Sequence, residues 1–258
     1  MPGSIAVAQP APGVAHLTLS NPGKRNALDR ALLEQLTGAL AGLDARCVVL
    51  TGADDAFCAG YDIGELLRDG YDDGAASQHP FPAALAAIEA YPYPVLAALN
   101  GATIGGGLEL AIACDLRIAA DGAKLGMPPA KLGVVYATAG LNRFLTTIGG
   151  ARTRELFLTG RRIDAATAER WGLVNEVVAA DALPDAALAL AREIAGNAPL
   201  SLRGNKAGIR ELVAAAGALD PAVAAQLDAA RRGAFASEDL REGLQAFGEK
   251  RPPVWRGR

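Results

Sequence analysis

Three consecutive glycines, Gly105-Gly106-Gly107, stand at the mouth of the apolar helical stretch 108–113, and no other feature constrains the chain as much. A glycine in a helix interior loses roughly 0.5–1 kcal/mol relative to alanine. Three in a row imply that something approaches the backbone more closely than a side chain would allow. A helix start presents N–H groups without intrahelical acceptors and the positive end of the helix dipole, so the approaching group carries or develops negative charge. Glu109 lies one turn inside, among Leu108, Leu110, Ile112 and Ala113. A carboxylate in such surroundings needs a partner or a task. Close packing of helix on strand is the competing explanation of the glycines. A phosphate loop is not, because no Gly-Lys-Ser/Thr follows, and the spacing also fails the dinucleotide fingerprint.

The chain has 258 residues, 51% of them hydrophobic, enough for one large core. No apolar run reaches the ~18–20 residues of a membrane helix, and the first residues lack the charged start and apolar run of a secretory signal. Cys47, Cys58 and Cys114 form no C-x-x-C pair and read as small buried residues of a reducing cytoplasm. A net charge of −3 without a basic block argues against nucleic acid or a membrane surface as partner. No residues cluster with metal-ligand spacing.

Short apolar runs at 14–19, 47–52, 94–101 and 115–120 read as strands. They alternate with helical stretches at 62–67, 81–91 and 107–113, and a further helix starts near Asp29. This is the pattern of an α/β layered core. Beyond residue 150 amphipathic helices dominate, with a strand only at 174–178. We place a boundary near residue 196, giving an α/β core over 1–196 and a helical region over 197–258. Such a helical region cannot bury its apolar faces alone and should pack on the core or on another subunit.

Two segments carry the chemistry. In AFCAGYDIGEL (56–66), Gly60 allows a sharp turn and Asp62 can cap the helix that follows, leaving the Tyr61 N–H near its positive end. In NGATIGGGLELAIACDLRIAA (100–120), Gly106 opens a helix in the same way. Two such helix starts could aim two N–H groups at one oxygen, forming an oxyanion hole. Together with NPGKRNAL (21–28), ERWGLVNEVV (169–178) and LREGLQAFGEKRPP (240–253), these segments closely resemble the crotonase superfamily, the enoyl-CoA hydratase/isomerase family, along nearly the whole chain. The resemblance implies a spiral of ββα units with C-terminal helices that build trimers, often paired into hexamers. It implies an acyl-CoA thioester as substrate, with coenzyme A arriving as part of it and no separate cofactor. The thioester oxygen would be held by the N–H groups of Tyr61 and Gly106 as an enolate forms. Ala59, Gly60, Asp62, Ile63, Gly105, Pro128 and Pro129 would line the substrate. Phe247 and Lys250 match positions that contact its CoA end, and Lys24 is a candidate for its phosphates.

The sequence departs from that pattern at one catalytic position. The family's hydratases use two glutamates; the first is Glu109 here, and the position of the second is Pro129. Proline cannot move a proton, which counts against hydration by a carboxylate pair. Tyr136 stands where methylmalonyl-CoA decarboxylase-type members carry a tyrosine, and Met127-Pro128-Pro129 resembles their Met-Thr-Pro segment. Tyr136 would orient a substrate carboxylate or protonate an enolate; a core tyrosine packed in a turn is the alternative. His79 falls in a stretch over 70–82 that reads as a lid or as plain surface, and His16 reads as structural. The expectation is thus a cytoplasmic, oligomeric acyl-CoA enzyme of hydratase, isomerase or decarboxylase chemistry, or else a CoA-ester-binding protein without turnover.

Overall fold

The computed structural model describes residues 2–62, 64 and 79–257. Ile63 and most of the helix expected over 62–67 and of the lid expected over 70–82 lie outside the described residues. A six-stranded sheet forms the centre, built from β1 (Ser4–Ala11), β2 (Val14–Ser20), β3 (Cys47–Gly52), β5 (Val95–Leu99), β7 (Leu116–Ala120) and β10 (Glu176–Val178), in the order β1-β2-β3-β5-β7-β10. β1 runs antiparallel to β2 and the remaining pairs are parallel.

The inner strands are apolar on both faces because both faces are covered. Leu17, Leu19, Val48, Leu50, Ala97 and Leu99 face the main core, which α1 (Arg30–Gly42), α2 (Phe81–Ala90) and α3 (Gly106–Ala113) also supply. The alternate residues, among them Cys47, Val49, Leu96, Ala98 and Ile118, pack on Leu183, Ala187, Ala191 and Ile194 of α6 (Leu183–Gly196). All three cysteines are free and buried.

A second, four-stranded sheet has the order β4-β6-β8-β9 and consists of three-residue strands: β4 (Ala56–Cys58), β6 (Ala102–Ile104), β8 (Lys124–Gly126) and β9 (Arg162–Asp164). On leaving β3, β5 and β7 the chain makes one of these short strands before its next helix, which is the ββα repeat. Sequence patterning placed no strand at these four positions or at β1, since three residues show no period and β1 is largely exposed.

Arg117 on β7 braces the glycine helix from its far end. It is 7% exposed, and its guanidinium donates to Cys114 O at 2.7 Å, Ala111 O at 3.3 Å and Leu173 O at 2.7 Å. These carbonyls include the terminal acceptors of α3, the negative end of its dipole. Arg117→Met should therefore lower unfolding free energy by about 3 kcal/mol, because buried acceptors lose their donor. Urea unfolding at neutral pH checks this, and a change under about 0.5 kcal/mol would show the cap to be dispensable.

After α4 (Thr138–Thr159) and α5 (Ala165–Arg170), the chain ends in α7 (Pro199–Ala216), α8 (Pro221–Ala236) and α9 (Glu238–Glu249). Lys206 of α7 donates to Ile88 O, Tyr93 O and Asp115 Oδ2, the last at 2.7 Å, and so ties this helix to the core. The same helix exposes Leu200, Ile209 and Leu212. Among the described residues, no single helix is long and apolar enough to cross a membrane.

Candidate active site

The turn over 21–28 is a frame for the 56–62 segment. Asn26, in a left-handed conformation, donates from its amide to Ala53 O and Ala56 O, both at 2.8 Å. Ala59 N donates to Arg25 O at 3.0 Å, Leu28 N to Gly60 O at 2.7 Å, and Asp62 N to Leu28 O at 3.0 Å. Leu28 thus pairs in parallel fashion with Tyr61 through its two neighbours. In such a bridge the central residue turns its own N–H to the opposite side, so the Tyr61 N–H points away from Leu28. Asp62 caps its segment by accepting from Gly64 N at 2.9 Å, and its other oxygen accepts from Lys24 Nζ. The structure therefore places the Lys24 ammonium, a candidate phosphate ligand, on Asp62.

Gly105 has φ +55° and ψ −123°, a conformation reserved for glycine, and its N–H donates to Gly126 O of β8 at 2.9 Å. That bend sends the chain straight into α3, whose first residue, Gly106, has no intrahelical acceptor for its N–H. The 56–62 segment lies beside it: a Cβ placed on Gly60 would sit 3.5 Å from Gly106 N. Gly107 packs on the same segment. A Cβ there would meet Cys58 O at 2.5 Å and Cys58 Cβ at 2.7 Å. The three glycines thus divide their work between a bend, a helix start and a close contact. Both explanations drawn from the sequence, an exposed N–H and tight packing, apply to different members of the run.

Glu109 is 4% exposed and both of its oxygens are engaged. The Tyr136 hydroxyl donates to Oε2 at 2.6 Å, and Arg143 Nη1 donates to Oε1 at 3.0 Å. Burial pushes the carboxyl above its usual range, against the opposing pull of Tyr136 and Arg143. Tyr136 is half-buried, its ring edge-on to Phe157 at 5.2 Å, so it is a packed tyrosine and a carboxylate partner at once. Arg143 also forks onto Glu89 of α2, Nε to Oε1 at 2.6 Å and Nη2 to Oε2 at 3.2 Å.

Pro129 is buried at the start of a short 3₁₀ turn, Pro129–Lys131, that follows Pro128. Phe247 is exposed near the end of α9, and Lys250 caps that helix in a left-handed conformation. Neither is brought against Glu109 by any hydrogen bond or ion pair among the described residues. His79 stacks edge-on to Tyr61 at 5.4 Å and accepts from Phe81 N, while His16 lies half-buried in β2. Sequence reasoning missed Arg143 and Glu89. Each is a lone charge on an apolar helical stretch, GLNRFL and LAAIEAY, and that complementarity was the signal available.

The repeat of ββα units, the carboxylate carried on a glycine-opened helix and the family match that follows place the chain among acyl-CoA thioester enzymes. Residues 10–258 match the model of the enoyl-CoA hydratase/isomerase family, and the chain belongs to that family. It is 37% identical over 265 residues to the mevalonyl-coenzyme A hydratase SIDH of Beauveria bassiana, spanning 96% of this chain and 92% of that one. Against the carnitinyl-CoA dehydratase of Citrobacter koseri the identity is 36% over 257 residues, 95% of each chain. Among solved structures, a methylmalonyl-CoA decarboxylase in complex with 2-nitronate-propionyl-CoA superposes with a TM-score of 0.92 at 30% identity, covering 99% of both chains. An enoyl-CoA hydratase from Bacillus anthracis gives 0.76 at 35% identity, covering 99% of this chain and 100% of that one.

Proposed function

We propose that this enzyme decarboxylates a malonyl-type acyl-CoA. The observation that carries the reading is the Tyr136–Glu109 hydrogen bond of 2.6 Å, at a site where Pro129 replaces the second carboxylate. The N–H groups of Gly106 and Tyr61 would hold the thioester oxygen. Ala59, Gly60, Asp62, Gly105 and Pro128 would border the acyl group, with Lys24, Phe247 and Lys250 toward the CoA end. The bond to the carboxylate breaks, CO₂ leaves, and the electron pair enters the thioester enolate, whose oxygen those two donors stabilise. The α-carbon then takes a proton from the Tyr136 hydroxyl. Glu109, whose proton affinity is raised by burial, relays a proton from solvent back to Tyr136. One proton is consumed per turnover. The strong backbone likeness to a decarboxylase supports this reading.

Hydration or isomerisation of an enoyl thioester is the second reading. It is favoured by the curated relatives named as hydratase and dehydratase, with Glu109 acting as base and then as acid. We further propose a cytoplasmic homotrimer or dimer of trimers, with residues 197–258 as the assembling region. The large apolar side chains that α7 exposes, Leu200, Ile209 and Leu212, support that assembly.

Incubation with methylmalonyl-CoA and crotonyl-CoA in parallel, read by product mass, tests the choice. Conversion of methylmalonyl-CoA to propionyl-CoA is expected. Rapid water addition to crotonyl-CoA, with methylmalonyl-CoA left intact, would overturn the decarboxylase reading. A CoA-ester-binding protein without turnover would leave both unchanged and show no exchange of α-protons in deuterated buffer.

A further inference from the structure

We propose that Arg143 and Glu89 form a positioning pair for Glu109, in which Glu89 holds the guanidinium plane and Arg143 holds the carboxylate facing Tyr136. The inference rests on Glu109 and Tyr136 being the proton-carrying groups of the site. Its basis is the division of donors on a single side chain. Glu89 takes Nε and Nη2, at 2.6 and 3.2 Å, and only Nη1 is directed to Glu109, at 3.0 Å. Arg143 is one-fifth exposed and Glu89 about one-third, whereas the Glu109 side chain is 6% exposed. Three helices meet here, Glu89 coming from α2, Glu109 from α3 and Arg143 from α4. Tyr136 arrives from the segment ahead of α4. Among the described residues, these are the charged and titratable groups that face the Glu109 carboxyl.

One cation is thus shared by two carboxylates. A guanidinium pinned by a bidentate partner cannot rotate to grip Glu109 with both arms, as an unshared arginine would. Glu109 therefore keeps one oxygen for Tyr136 and retains a higher proton affinity than a bidentate pair would allow. Glu89 raises that affinity, and Arg143 lowers it. The two members of the pair consequently act on Glu109 in opposite directions. A purely structural role predicts no such opposition.

The experiment reads Glu109 without substrate. Stability of the full chain is measured against pH for the wild type and Glu109→Gln, and the difference isolates the Glu109 titration. Because burial raises the folded carboxyl above the unfolded value of 4.5, the folded state binds more protons between the two values. The stability difference must then fall as pH rises through that window and level off above it. In an Arg143→Gln background the upper edge should move up by about one pH unit or more, and in Glu89→Gln it should move down. Arg143→Lys should restore most of the wild-type position.

The same shifts are expected in the pH profile of CO₂ release or of α-proton exchange. Movement of both variants in one direction, or of neither, overturns the pair. If Arg143→Gln fails to fold, Glu89→Gln decides: a downward shift supports the proposal, and no shift or an upward one defeats it. A shifted stability window without any turnover would leave the pair standing and remove the decarboxylase reading. Turnover with a fixed window would do the reverse.

Discussion

Tyr136→Phe is expected to lower decarboxylation of methylmalonyl-CoA by about 10²–10⁴-fold while leaving the fold intact, the span usual for a positioned proton donor. Only the hydroxyl is removed. The ring keeps its edge-on contact with Phe157, which in turn packs on Phe144 at 4.9 Å. Thermal unfolding should therefore change little. The enolate would still form in the hole proposed for the Gly106 and Tyr61 N–H groups, but its α-carbon would lack its proton source. Glu109 would also lose the hydrogen bond that favours its ionised form, and its proton affinity would climb further.

Glu109→Gln should be milder in a single turnover, within about tenfold, because glutamine can still donate to the tyrosine oxygen and leave its proton aimed at the substrate, whereas steady-state turnover should fall further because glutamine cannot relay a proton back to the tyrosinate. The comparison separates the two chemistries. Single-turnover measurements with both substrates are the check. If CO₂ release survives Tyr136→Phe and fails in Glu109→Gln, Tyr136 is not the proton donor.

Gly107→Ala has the other large effect, and it acts through packing. The added methyl would lie 2.5 Å from Cys58 O and 2.8 Å from Cys58 Sγ, and backbone cannot swing aside as a flexible side chain does. Overpacking of this kind costs about 3 kcal/mol. Relief by shifting α3 away from β4 would carry Gly106 out of register with Tyr61, and losing one oxyanion donor costs on the order of 10²–10³ in rate. A contrasting substitution sharpens the test. Gly38 lies inside α1 with no atom within 4 Å of an added Cβ, so Gly38→Ala should stabilise the protein by about 0.5–1 kcal/mol. Denaturant midpoints for the pair should move in opposite directions. Equal small shifts would show that Gly107 is not held against Cys58.

The patterning of the chain made the central sheet legible. Runs such as CVVLTG and PVLAALNG are apolar throughout because both sheet faces are covered, and Asp29 marks the start of α1 by accepting from Leu32 N at 2.8 Å. The second sheet was not legible. AFC, ATI, KLG and RID carry no period, and their pairing is decided by residues tens of positions apart. The composition of NPGKRNAL, with Asn, Pro and Gly together, is that of a turn. That Asn26 holds Ala53 and Ala56, and through them the 56–62 segment, emerges only when the turn meets β4.

The site divided along the same line. The glycine run, Glu109, Tyr136 and the absence of a carboxylate at Pro129 are facts of sequence, since each is a residue type whose chemistry is intrinsic. The state of Glu109 is not. Its proton affinity depends on burial, on a tyrosine 27 positions away and on an arginine 34 positions away that is shared with Glu89. The sequence by itself determined which groups are present and the family they belong to, because local patterning and side-chain chemistry travel with the chain. Which groups touch was decided by the tertiary structure, because three helices must converge before one guanidinium can serve two carboxylates.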